Sequence, residues 1–152
     1  MKSWTVTGAI FGGFAVVLGA FAAHGLDQVM VEKYASLPQK VIAGFSVPAS
    51  WKYLQDFKTG AEYQMYHSLA LLALGVLAQQ RPSRWITAAG WSFTAGIVLF
   101  SGSLYILSIT GETKWGMIAP IGGLLLIIGW VLFAVASLAG KECAVPPQNH
   151  AS

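Results

Sequence analysis

The chain is 152 residues long, enough for one domain, and carries 55% hydrophobic against 10% charged residues, where a water-facing globule has roughly 25% charged. That balance excludes a soluble globule and assigns the chain to the membrane class. The formal charge of +3 is small and scattered, with no run of Lys or Arg, which excludes a nucleic-acid surface; the single Cys143 excludes an internal disulfide and thiolate metal motifs.

Four apolar stretches, at about 4–23, 60–79, 85–109 and 119–140, contain no Lys or Arg and are each near the ~20 residues that a ~30 Å hydrocarbon core requires. Backbone inside a bilayer must satisfy its own hydrogen bonds, so these stretches are helices. The predicted fold is all-α: one transmembrane domain over 1–152, an integral membrane four-helix bundle with antiparallel neighbours, a structured loop at 24–59 and a short polar tail at 141–152.

The first stretch imitates a secretory leader, with Lys2, an apolar run and Ala20-Phe21-Ala22, but it is longer than a leader's usual ~7 to 15 apolar residues. Its residues are also ordered by face. Gly8, Gly12, Ala15, Gly19 and Ala22 fall on one side, Val6, Ile10, Phe14, Val17 and Phe21 on the other. A packed helix needs that division and a disposable leader does not.

The loop that follows has Pro38 and Pro48 as breaks and charges of both signs. Leu26 to Leu37 predicts a short helix ending before Pro38. Ala49 to Phe57 places Trp51, Leu54 and Phe57 at helical spacing beside Lys52 and Lys58, predicting a second short helix in the headgroup layer.

The second apolar stretch opens with Thr59-Gly60-Ala61-Glu62, a capping-box pattern that explains Glu62 structurally. On a helical wheel Met65, Leu69, Leu72 and Val76 turn toward lipid, while Tyr63, His67, Ala70 and Leu74 turn toward other helices. His67 lies roughly 9 Å below that helix start. An ionisable group at such depth is a functional hypothesis by default.

The third and fourth stretches repeat the small-residue pattern, with Gly90, Thr94, Ser101, Tyr105 and Ser108 on one face and Gly122, Gly129, Ala136 and Gly140 on another. Between stretches two and three, Arg81 and Arg84 sit in a tight link. The raw count of Lys and Arg barely separates the two sides, but basic residues in short links weigh most, which puts both termini in the cytoplasm. Cys143, beside the last helix, is a minor candidate for lipidation.

An even helix count brings the end of helix one, the start of helix two, the end of helix three and the start of helix four to one membrane side. His24, Glu62, Tyr63, His67, Ser101, Ser103 and Tyr105 form the candidate ligand-binding set there, near Trp115 and Pro120. The first reading is a polar network that glues helices together. The second is a pocket for a quinone, a lipid headgroup or another small amphiphile, walled by Tyr and Trp. Metal or haem ligation by His24 and His67 ranks third, because no ligand pair at i, i+3 or i, i+4 exists and no supporting carboxylate beyond Glu62 is apparent. No cofactor and no metal are expected, and pairing His67 with Ser101 or Ser103 as base and nucleophile is too unspecific to predict an enzyme.

GAFAAHGL (Gly19 to Leu26), TGAEYQMYHSLALLALG (Thr59 to Gly75), LFSGSLYIL (Leu99 to Leu107) and PIGGLLLIIGW (Pro120 to Trp130) resemble, in order, the four blocks of the YgdD-like family of small bacterial inner-membrane proteins, which has eukaryotic relatives. Those blocks include His24, Glu62, Tyr63, Gln64, His67, Ser101, Gly102, Ser103, Tyr105, Pro120, Gly122 and Gly123. The resemblance implies a four-helix membrane protein of unknown function and carries over no catalytic residue, cofactor or substrate. The loop between the first two blocks is longer than the family usually shows. The expected function is a structural, assembly or interaction subunit in the bacterial inner membrane, its partners being the lipid bilayer and either a membrane protein or a second copy. The alternative is a binder or transporter of a small amphiphile.

Overall fold

A computed structural model of the chain describes residues 3–139. Its elements are α1 (Ser3–His24), α2 (Leu26–Tyr34), β1 (Lys40–Ile42), β2 (Phe45–Val47), α3 (Ala49–Gln80), α4 (Arg84–Thr110), a 3₁₀ turn (Thr113–Met117) and α5 (Ala119–Ala139). Helix dominates, and α1, α4 and the stretch Thr113–Ala139 are long and apolar enough to cross a membrane. Gly140 and the tail beyond it, including Cys143, lie outside the described residues.

Two features differ from the sequence reading. The second interfacial helix and the second apolar stretch are one 32-residue helix, α3. Between Pro48 and Pro82 no proline interrupts the backbone, and the Thr59–Glu62 pattern caps nothing because a helix already runs through it. Gly60 belongs to an interhelical contact instead, where an added Cβ would lie 2.9 Å from the Tyr105 ring. The loop also contains an antiparallel hairpin, in register Lys40↔Val47, Val41↔Ser46 and Ile42↔Phe45. Its two-residue link has positive φ at both positions, Ala43 (50°) and Gly44 (86°), as the twist-matched hairpin turn requires.

The four long helices pack as a series, with α3 against α1, α4 against α3 and α5 against α4. Each pair is antiparallel, since rising numbers on one helix meet falling numbers on the next: Gly8 and Gly75 of the first pair face Ser68 and Thr5, and Gly96 and Gly129 of the last face Leu126 and Phe93. Small residues set these distances. An added Cβ at Gly8 would sit 2.8 Å from the Ser68 carbonyl oxygen, and one at Gly129 would sit 2.6 Å from the Phe93 ring. Gly8, Ala15 and Ala22 are buried while Val6, Ile10, Phe14, Val17 and Phe21 are exposed, the division expected for the first helix, although Gly19 faces open space. Gly122, Gly129 and Ala136 are likewise the buried stripe of α5.

The short α2 closes the loop-side end. Leu26, Met30 and Tyr34, spaced by four, are its buried face and join Tyr53, Phe57 and Leu107 in one core cluster. The Tyr34 hydroxyl donates to the Ser108 carbonyl (2.8 Å), and the Lys33 ammonium bonds the Ile109 carbonyl, so two side chains of α2 satisfy carbonyls in the last turn of α4. Gly111 ends α4 in the left-handed conformation at φ 78°. Burial, with the adjacent Tyr53 phenol second, pushes the Tyr34 phenol up from its ordinary pKa.

Candidate functional site

The buried polar residues of α3 are Gln64, His67 and Ser68. Gln64 is the centre of the first group. Its Nε2 donates to the Phe11 carbonyl of α1 (2.8 Å) and its Oε1 accepts from the Tyr105 hydroxyl of α4 (2.9 Å). One side chain thus ties three helices, and the Ser68 hydroxyl returns to the Gln64 carbonyl.

His67 is the centre of the second group. Its Nδ1 lies 2.7 Å from the Tyr63 carbonyl one turn earlier, and its Nε2 lies 3.2 Å from Nε1 of Trp130 on α5. Indole nitrogen only donates, so Nε2 accepts and the proton resides on Nδ1, which donates to Tyr63. Both ring nitrogens are used. Tyr63 and Phe93 flank the imidazole, with ring centroids 6.0 and 5.7 Å away, and Phe93 meets Trp130 edge-on at 5.3 Å.

Beside this cluster α3, α4 and α5 leave a groove of about 770 Å³, within the size range of small-molecule sites. It is lined by Tyr63, Tyr66 and His67 of α3, Phe100 of α4, and Pro120, Gly123, Leu126 and Trp130 of α5, among others. The groove exists because α5 packs on α4 while the His67–Trp130 bond reaches across to α3.

The seven candidate residues do not form one site. Tyr63 and His67 line the groove, and Tyr105 belongs to the Gln64 group. Glu62 is exposed and lines a separate shallow groove between α1 and α3, with Lys58, Ala15 and Gly19. His24 is exposed at the end of α1. Ser103 donates to the Phe100 carbonyl of its own helix (2.9 Å), and the buried Ser101 hydroxyl has no partner among the described residues. Neither serine bonds His67, whose nitrogens are engaged elsewhere. Among the described residues no three His, Cys, Asp or Glu side chains gather as a metal site.

Trp130 and the role of Gln64 were missed. Trp130 stands in an apolar run with no polar periodicity, so nothing marks its indole as a partner. The signal for Gln64 is its place in the series Gly60, Gln64, Ser68, Leu71 and Gly75, the stripe of α3 buried between helices.

Fold and site together define an α-helical integral membrane protein whose internal polar groups bridge helices. The chain belongs to the family described as a protein of unknown function, DUF423, which matches residues 18–123. It is similar to the UPF0382 membrane protein YwdK of Bacillus subtilis, 42% identical over 139 residues covering 91% of this chain and 98% of the relative. A UPF0382 membrane protein of Haemophilus influenzae is 38% identical, covering 88% and 92%, and the UPF0382 inner membrane protein YgdD of Escherichia coli is 36% identical, covering 90% of each. No solved structure matches.

Proposed function

We propose that the chain is a multi-pass protein of the bacterial inner membrane, with α1, α3, α4 and α5 as four antiparallel spans and both termini cytoplasmic. It acts as a structural or interaction subunit without chemistry of its own. The observation that carries this reading is the full engagement of the cluster: both nitrogens of His67 and both polar ends of Gln64 are committed to holding helices together. A general base or nucleophile needs a free reacting atom. That α3 serves as the fourth span is supported by Tyr63 to Gln80, eighteen residues without Asp, Glu, Lys or Arg.

The test is the size of the particle extracted from native membranes in mild detergent and, separately, in native-lipid nanodiscs. An assembly of fixed stoichiometry larger than the 16.2 kDa chain is expected in both. A monodisperse monomer in both overturns the subunit reading.

A second reading, binding of a small amphiphile, is favoured by the groove between α3, α4 and α5, whose aromatic walls open toward the surface that faces lipid in this arrangement.

A further inference from the structure

We infer that this groove holds one phospholipid of the loop-side leaflet, an acyl chain lying along α5 and its ester carbonyls accepting from the Tyr63 and Tyr66 phenols. The inference rests on the amphiphile reading and names its ligand.

Length is the first argument. The groove follows α5 from Pro120 to Trp130, a rise of about 15 Å, which is half of a ~30 Å hydrocarbon core. Since α5 begins at Ala119 on the loop side, the groove runs from that boundary to about mid-bilayer, the reach of a single leaflet's chain.

Polarity is the second. At the deep end the Trp130 indole and His67 imidazole satisfy one another, so the groove presents hydrocarbon and ring faces there. On the loop side of His67 the Tyr63 and Tyr66 rings lie 6.0 Å apart, and neither phenol has a hydrogen-bond partner among the described residues. A phenol without a partner in hydrocarbon is costly. Helical side chains lean toward the helix N-terminus, here the loop side, which carries both phenols toward the level of glycerol esters. Two neighbouring donors suit the two adjacent esters of a diacyl lipid. The two carbonyls of a quinone stand on opposite edges of its ring and cannot both face one wall.

The test is native mass spectrometry of the detergent-purified chain, paired with a fluorescence titration using a phospholipid brominated at mid-chain. The Trp130 contribution to fluorescence is obtained as the difference between wild type and Trp130→Phe. One retained phospholipid per chain is expected, with saturable quenching of the Trp130 contribution near one equivalent. Gly123→Leu fills the groove where an added Cβ meets nothing closer than 3.7 Å, and it should reduce retention about tenfold without lowering the melting temperature. Ile127→Trp, on the exposed wall, should do the same and guards against a folding defect in the first variant. Tyr63→Phe and Tyr66→Phe should each weaken retention about fivefold. A retained prenylquinone in place of phospholipid overturns the inference and leaves the amphiphile reading standing. Retention and quenching unchanged in both filled variants overturn the groove as the site. An empty wild-type chain with no saturable quenching overturns both the inference and the reading.

Discussion

Gln64 and His67 stand one turn apart on α3 yet carry unequal loads. Replacing Gln64 by Leu removes two interhelical bonds and strands the Tyr105 hydroxyl, a loss of about 1–3 kcal/mol in thermal unfolding. Adding Tyr105→Phe should recover part of that loss, because the stranded hydroxyl is removed with its partner; a double variant less stable than Gln64→Leu alone contradicts the pairing. Trp130→Phe removes only the bond to His67, and interhelical bonds in membranes average about 0.6 kcal/mol, so it should cost clearly less than Gln64→Leu. His67→Gln keeps an acceptor for Trp130 and should retain most stability. At this scale the sequence was half informative. The inward face of His67 follows from helical periodicity alone, whereas its partner could not be found, since an indole in an all-apolar helix has the same pattern facing lipid or facing a neighbour.

The helices test two assignments. If α3 is continuous, Thr59 lies inside a helix and Thr59→Ala should leave stability unchanged or slightly raised, since Ala is the better helix former. If a separate helix began there, the same change would remove a cap and cost about 1 kcal/mol. For α1, Gly8→Ala forces a methyl into the Ser68 carbonyl and should destabilise by about 1–3 kcal/mol, while Gly12→Ala, with only the Ser68 Cβ at 3.7 Å, should not. Equal melting temperatures for the two variants would show that α1 does not approach α3 through Gly8. The small-residue faces were legible because close approach in lipid requires small side chains at fixed spacing. The join at Thr59 was not, because a real cap and an interior helical turn can share the letters T-G-A-E; tertiary contacts at Gly60, Ala61 and Gln64 decide between them. The hairpin was hidden for another reason: each strand is only three residues long, too short for alternation to register, and its turn contains Ala43 where Asn or Asp is the usual signal.

For the whole molecule, the proposed arrangement assigns Arg81 and Arg84 to the cytoplasmic face and the hairpin to the opposite one. A membrane-impermeant maleimide should therefore label Cys143 only after intact cells are permeabilised. Strong labelling beforehand reverses the topology. The overall class was legible from composition, because a chain with 10% charged residues has too little polar surface to face water. The division of polar groups into a Gln64 group and a His67 group was not, since helix order says which ends meet but leaves open which flanks touch.

The continuity of α3 also has a mechanical consequence. A helix of 32 residues is about 48 Å long, so with α3 as the proposed fourth span of a ~30 Å core some 18 Å of it would stand above the hydrocarbon. The hairpin joins that arm at Pro48, α2 packs on it through the cluster that holds Tyr53 and Phe57, and Gln64 sits near the helix midpoint. A tilt of about five degrees around the helix midpoint swings Ala49 by about 2 Å. In the proposed arrangement, anything that grips the hairpin would therefore work a lever that reaches the bond between α1 and α4 through Gln64, one rigid beam running from the loop side into the bundle.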